Sequence, residues 1–233
     1  MSKKILVIAA HPDDEVLGCG ATIAKHATMG DEVHVVILAE GVTSRDERRD
    51  PKGRKSDLSE LSKAAHSANK ILGVKSLTLH DFPDNRMDSL DRLEVIKVVE
   101  RFIDKYRPET VYTHHAGDVN IDHKVIHEAV VTACRPTPSQ PVKTLLLFEV
   151  LSSTEWQIPG SASWFMPNWF IDVSTTIDAK LQALKAYRSE MRPWPHARSI
   201  EAVTHLAKSR GASIGTEAAE AFALGRNICD GEL

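Results

Sequence analysis

The stretch Lys4-Ile5-Leu6-Val7-Ile8-Ala9-Ala10-His11-Pro12-Asp13-Asp14-Glu15 decides the fold, because an apolar run opens directly onto a cluster of ionisable side chains. The basic start and apolar run imitate a signal peptide, but the run is only about six residues long, short of the roughly 7–15 of an h-region. It reads as a buried first strand. Val16–Met29, immediately after it, has helical character. Further out, Val33–Ala39, Ser76–Leu79, Thr110–Thr113 and Thr144–Val150 repeat the short apolar pattern. Between them lie Leu58–Leu72, closed by Gly73 at its C′ position, the helically spaced Leu90, Leu93, Ile96, Val99 and Ile103, and His123–Cys134. Short apolar strands separated by amphipathic helices predict an α/β fold with a Rossmann-like, mostly parallel sheet and helices on both faces.

That pattern covers residues 1–150. From 151 to 233 the texture changes, and we expect a small C-terminal annex of the same domain that shapes the substrate pocket. Ile171–Val173 suggests a strand and Ile177–Tyr187 a helix, and two further short helices are expected after Pro193, Trp194 and Pro195. A length of 233 residues suits one domain with such an appendage. Hydrophobic residues at 42% and charged residues at 26% exclude general disorder, and a net charge of −3 removes any global case for nucleic-acid binding. No stretch approaches the roughly 18 apolar residues of a membrane span. Cys19, Cys134 and Cys229 are odd in number and far apart, which argues against a disulfide framework and for a cytoplasmic setting.

Open α/β sheets bind ligands at the carboxyl ends of their strands. A nucleotide-binding Rossmann protein would place a glycine-rich loop after the first strand, whereas this chain offers only Gly18 and Gly20 there. Asp13, Asp14 and Glu15 could by themselves merely complement the dipole of the following helix. A second cluster argues otherwise: His114-His115-Ala116-Gly117-Asp118-Val119-Asn120-Ile121-Asp122-His123 follows another strand and so lies at the same sheet edge. Two histidines and an aspartate converging there would form a mononuclear zinc site with one open position.

These residues carry a family resemblance. His11-Pro12-Asp13-Asp14-Glu15, with Asn120-Ile121-Asp122-His123 about 110 residues later, resembles the PIG-L/LmbE family of zinc-dependent N-deacetylases. Gly41-Val42-Thr43-Ser44-Arg45, Phe82-Pro83-Asp84-Asn85 and Arg107-Pro108-Glu109-Thr110-Val111-Tyr112-Thr113 resemble further landmarks in order, over roughly residues 3–150. The resemblance implies His11, Asp14 and His123 as ligands of one Zn2+ and Asp13 as the general base that activates the attacking water. Where many relatives carry a histidine that holds the oxyanion, this chain has Asn120, whose amide can donate a hydrogen bond but cannot titrate. Asn120 could instead cap the helix that begins at Ile121. Asp122 is expected to support a ligand from behind.

Other candidates carry less. His127 stands i, i+4 from His123 on a helix, but the glutamate of an H-E-x-x-H motif is missing. His114 and His115 suit either a site or a loop; His26, His34, His66, His80, His196 and His205 lack ligand spacing and are expected to be structural. Arg45 follows the second strand and, with Asp84 and Asn85 after the third, is a substrate-binding candidate; Arg86 has less support. Trp156, Trp164, Trp169 and Trp194 could stack on a sugar, although burial is the commoner fate. The resemblance therefore implies removal of the N-acetyl group from an N-acetylglucosamine-type amino sugar, giving acetate and a free amine. The rivals are amidase action on a thiol-sugar conjugate and a non-catalytic sugar- or nucleotide-binding module. The expected partner is a small N-acetylated sugar or glycoside, with homo-oligomerisation left open.

Overall fold

The computed structural model describes residues 2–229. Strands β1 (Lys4–Ala9), β2 (Glu32–Ala39), β3 (Ser76–Phe82), β4 (Thr110–His114) and β5 (Thr144–Phe148) are joined by helices α1 (Asp14–Thr28), α2 (Lys55–Ile71), α3 (Arg92–Tyr106) and α4 (Ile121–Ala133). Beyond them lie β6 (Trp169–Asp172), α5 (Ile177–Leu184), α6 (Ile200–Ala212) and β7 (Ala219–Asn227). The seven strands form one mixed sheet in the order β3-β2-β1-β4-β5-β7-β6. The first five run parallel, and β7 pairs antiparallel with both β5 and β6.

Side chains alternate across each strand, so β1 feeds two cores. Ile5, Val7 and Ala9 pack with residues of α1, α2 and α5. Leu6, Ile8 and Ala10 pack with Val95, Val98 and Val99 of α3 and with Val125, Ile126, Ala129 and Val130 of α4. Every β1 residue from Ile5 to Ala9 is fully buried, so truncating Ile8 to alanine should cost about 2–5 kcal/mol. No helix among the described residues is long and apolar enough to cross a membrane.

Strand order reverses between β1 and β4, the switch point where an open α/β sheet leaves a crevice at its carboxyl edge. Both ionisable clusters leave the sheet there. Helix α1 seats closely against β5, since a Cβ on Gly18 would lie 2.4 Å from Cδ2 of Phe148. At Cys19 the helix breaks (φ −149°, ψ 25°). The Glu220 carboxylate accepts from Ala21 N at 3.2 Å and Thr22 N at 2.7 Å, and Lys180 Nζ donates to Leu17 O at 2.8 Å. The expected pair of short C-terminal helices is instead one helix, α6, followed by β7. Ala219-Glu220-Ala221-Phe222-Ala223-Leu224 consists largely of good helix formers, but the open edge of β5 needs a partner and overrides local propensity.

Candidate metal centre

The loop between β1 and α1 carries His11 and Asp13 and leads into Asp14, the first residue of α1, and the loop after β4 leads into His123 on the first turn of α4. His114, the last residue of β4, ties the two loops together: its Nε2 accepts from Ala10 N at 2.8 Å. Its ring stacks on His123 with centroids 3.9 Å apart. Burial and the neighbouring His123 hold His114 well below the usual histidine range, so it stands as a neutral prop.

Three side chains then converge. Asp14 Oδ2 lies 3.2 Å from His11 Nδ1 and 3.1 Å from His123 Nε2, and also accepts from His11 N at 2.8 Å. One ligand atom from each of His11, Asp14 and His123 falls within 4.8 Å of the others. Asp14 Oδ1 is buried and has no hydrogen-bond partner. A carboxylate with one oxygen against two imidazole nitrogens and the other without a partner fits a divalent cation, and the His/His/carboxylate set suits zinc. The field agrees. Burial alone would lower His123, yet Asp14 and Asp118 raise it to about 9. Burial opposes the change in Asp14 too, but His123 and His11 hold it well below the usual carboxylate range. The pocket thus favours positive charge at its centre.

Each imidazole is steadied from behind by a carboxylate. Asp122 Oδ2 lies 3.0 Å from His11 Nε2 and accepts from Asn85 N, while Oδ1 accepts from Met87 N at 2.9 Å. Asp118 Oδ2 lies 3.1 Å from His123 Nδ1. Asp118 is fully buried and accepts from Asn120 N at 2.9 Å, Thr154 Oγ1 at 2.7 Å and Ser153 Oγ. Asp118 went unassigned in the sequence reading, although its place five residues before His123 in a strand-to-helix loop was the available signal.

Asp13 is 1% exposed and adopts φ +120°, a left-handed backbone costly for a residue with a Cβ. Its N donates to Glu15 Oε2 at 3.1 Å, and its Oδ2 receives Arg198 Nη1 at 2.9 Å. Burial pushes the Asp13 carboxyl well up, with Arg198 opposing. Arg198 gave no local signal in the sequence, because only the fold brings it across 185 positions.

Several expectations change. Asp84 is 2% exposed, and its oxygens are taken by Ser44 N, Asn85 Nδ2 and, at 3.3 Å, His11 Nε2. It therefore supports His11 rather than facing a sugar hydroxyl. Arg86 donates to the carbonyls of Asp46 and Glu47 inside its own loop. Arg45 is partly exposed and paired with Glu190 at 2.9 Å, and Asn85 is exposed. Asn120 caps α4: its Oδ1 accepts from Asp122 N and His123 N, and its Nδ2 donates to Asn85 Oδ1 at 2.9 Å. His127 Nδ1 pairs with His114 O at 2.9 Å, outside the ligand cluster. His115 Nε2 lies 2.9 Å from Ser163 O, where the chain passes so close that a Cβ on Gly117 would lie 1.7 Å from that oxygen.

Residues 6–134 match the PIG-L family, described as GlcNAc-PI de-N-acetylase. The chain belongs to the PIG-L family. The PIG-L protein is 30% identical over 193 residues to the uncharacterized deacetylase YaiS of Escherichia coli K12, covering 80% of this chain and 91% of YaiS. It is also 30% identical over 201 residues to the diacetylchitobiose deacetylase of Thermococcus kodakarensis, covering 81% of this chain and 70% of that protein. Among solved structures, GalB, the 4-carboxy-2-hydroxymuconate hydratase of Pseudomonas putida KT2440, superposes with a TM-score of 0.79 at 22% identity, covering 99% of each chain. A hydratase on this fold means that the fold alone does not name the reaction.

Proposed function

We propose that this PIG-L protein is a zinc-dependent N-deacetylase that releases acetate and a free amine from an N-acetylated amino sugar. The observation that carries the reading is the convergence of His11, Asp14 and His123, with one Asp14 oxygen left without a partner and the neighbouring Asp13 buried. His11, Asp14 and His123 hold the ion. Zinc bound there supplies a Lewis acid and a hydrolytic nucleophile near neutral pH. Asp13 accepts the proton of the attacking water and returns it to the departing amine nitrogen, so the amide C–N bond breaks without expelling an amide anion. Asn120 has one amide N–H left after Asn85, available to a developing oxyanion.

Arg45 and Asn85, both exposed, are the side chains that bind the sugar or its aglycone. The annex supplies apolar faces for a sugar ring from Trp156, Trp164 and Trp194, each more than half exposed. Two sequence relatives named as deacetylases support the amide reading. Three unpaired cysteines suit a cytoplasmic setting.

The test is a panel of N-acetylglucosamine, N,N′-diacetylchitobiose and glycosides of each, incubated with the zinc-loaded protein. Equal amounts of amine and acetate are expected, and the metal-stripped protein should release neither. A protein carrying one zinc that frees no amine from any of them overturns the reading.

A further inference from the structure

The strained backbone at Asp13 persists only if its surroundings over-determine it, and the contacts that do so come from two directions. From below, Glu15 Oε2 accepts from Asp13 N, while Glu15 Oε1 accepts from Tyr187 Oη at 2.7 Å and Asn69 Nδ2 at 2.8 Å. From the C-terminal part of the chain comes Arg198. Its Nη1 holds Asp13 Oδ2 at 2.9 Å, and its Nε donates to Ser152 Oγ at 2.6 Å. Its own carbonyl accepts from Arg192 N at 3.1 Å, and the next residue, fully buried Ser199, caps α6. Glu190 would compete for the same guanidinium, but Arg45 takes Glu190 Oε1 at 2.9 Å, and Glu190 Oε2 stays 3.9 Å from Arg198 Nη1. Among the described residues no hydrogen bond falls on Asp13 Oδ1, so the clamp occupies one carboxylate oxygen and leaves the other for the reaction.

We propose that Arg198 is the positioning residue for Asp13, a two-point fork supplied by the C-terminal third of the chain that aims the base through one of its oxygens. The proposal rests on the role given to Asp13 in the proposed function. A guanidinium can hold Asp13 and Ser152 at once because its donors are fixed in a plane, whereas an ammonium offers one flexible point. The fork therefore makes Lys a poor replacement even though it keeps the charge.

The experiment compares Arg198→Lys, Arg198→Ala and Ser152→Ala with the parent, using N,N′-diacetylchitobiose as substrate at matched zinc content. Both Arg198 variants should lose about 10- to 100-fold in kcat with KM within about threefold, within the range a misplaced acid–base group loses. Ser152→Ala, which removes only the aiming contact, should lose less in the same parameter. Guanidinium at tens of millimolar should restore part of kcat to Arg198→Ala and none to Asp13→Ala. Full activity in Arg198→Lys, a raised KM at unchanged kcat, or no rescue by guanidinium overturns the proposal. A parent inert on the substrate is a failure of the deacetylase reading instead. In that case thermal melts of Asp13→Asn, Arg198→Lys and the double variant test the clamp without turnover. Strongly non-additive melting shifts support it, and additive shifts overturn it.

Discussion

Replacing Asp118 by asparagine tests the proposed metal centre. The side chain keeps its shape, but four contacts converge on its two oxygens. Oδ1 receives Asn120 N and Ser153 Oγ; Oδ2 receives Thr154 Oγ1 and faces His123 Nδ1 at 3.1 Å. A hydroxyl can rotate to accept instead of donate, whereas the backbone N–H of Asn120 cannot. The carboxamide oxygen must therefore stay with Asn120 N, which sets the new amino group against His123. To avoid two opposed donors His123 has to shed its Nδ1 proton and keep one on Nε2, the atom aimed at Asp14 and the metal position. Loss of an orienting carboxylate of this kind lowers metal affinity by about 10- to 100-fold, or about 1.4–2.7 kcal/mol. The forced tautomer places Asp118→Asn near the upper end. The assay is zinc affinity by chelator competition, with thermal melts of the metal-free proteins run beside it to establish folding. A folded variant whose zinc Kd stays within threefold of the parent would refute the argument that Asp118 sets the His123 tautomer.

In the metal-free protein His123 titrates at about 9 against an ordinary 6.5, so its stabilising charge is present below about pH 6.5 and lost as pH rises through 9. The window is worth up to about 3 kcal/mol, and urea unfolding of stripped protein at pH 6, 7.5 and 9 should trace the decline; a flat profile counts against the His123–Asp14–Asp118 pairing. Asp13→Asn should keep one zinc per chain yet lose at least about 10²-fold in kcat, and loss of metal with activity would remove Asp13 from the base role. Asn120→Ala should cost about 0.5–2 kcal/mol as a lost helix cap, whereas Asn120→Asp should retain the cap; if Asn120 also serves the oxyanion, the aspartate variant is the slower enzyme at matched zinc, and parental kcat in it leaves capping as the whole role. Zinc analysis should find metal retained in His127→Ala and lost in His123→Ala, and the opposite pattern would exchange the ligands.

The short apolar run Ile5–Ala10 settles by itself that a strand is buried on both faces, since alternation would be needed only if one face met water. Repetition of that run between helical segments makes the first five strands parallel, and parallel strands place whatever follows each of them at one edge. Strand-to-helix position made legible that the clusters at 11–15 and 114–123 share one sheet edge, whereas the choice of His11, Asp14 and His123 within them came from the family resemblance. Asp122, adjacent to His123, shared the same logic. What the tertiary structure alone decided has the opposite character. Ala219–Asn227 has helix-forming composition and becomes a strand because β5 and β6 present unpaired backbone. Asp84 carries the look of an exposed loop acid, but the turn after β3 folds it under His11. Arg198 reaches Asp13 from 185 positions away, and Tyr187 reaches Glu15 from 172, through contacts that no local period or motif encodes. Side chains that follow strands inherit their place from backbone hydrogen bonding, which leaves a pattern in the sequence. The groups that pair with those side chains from afar are placed by the packing of distant segments, which leaves none.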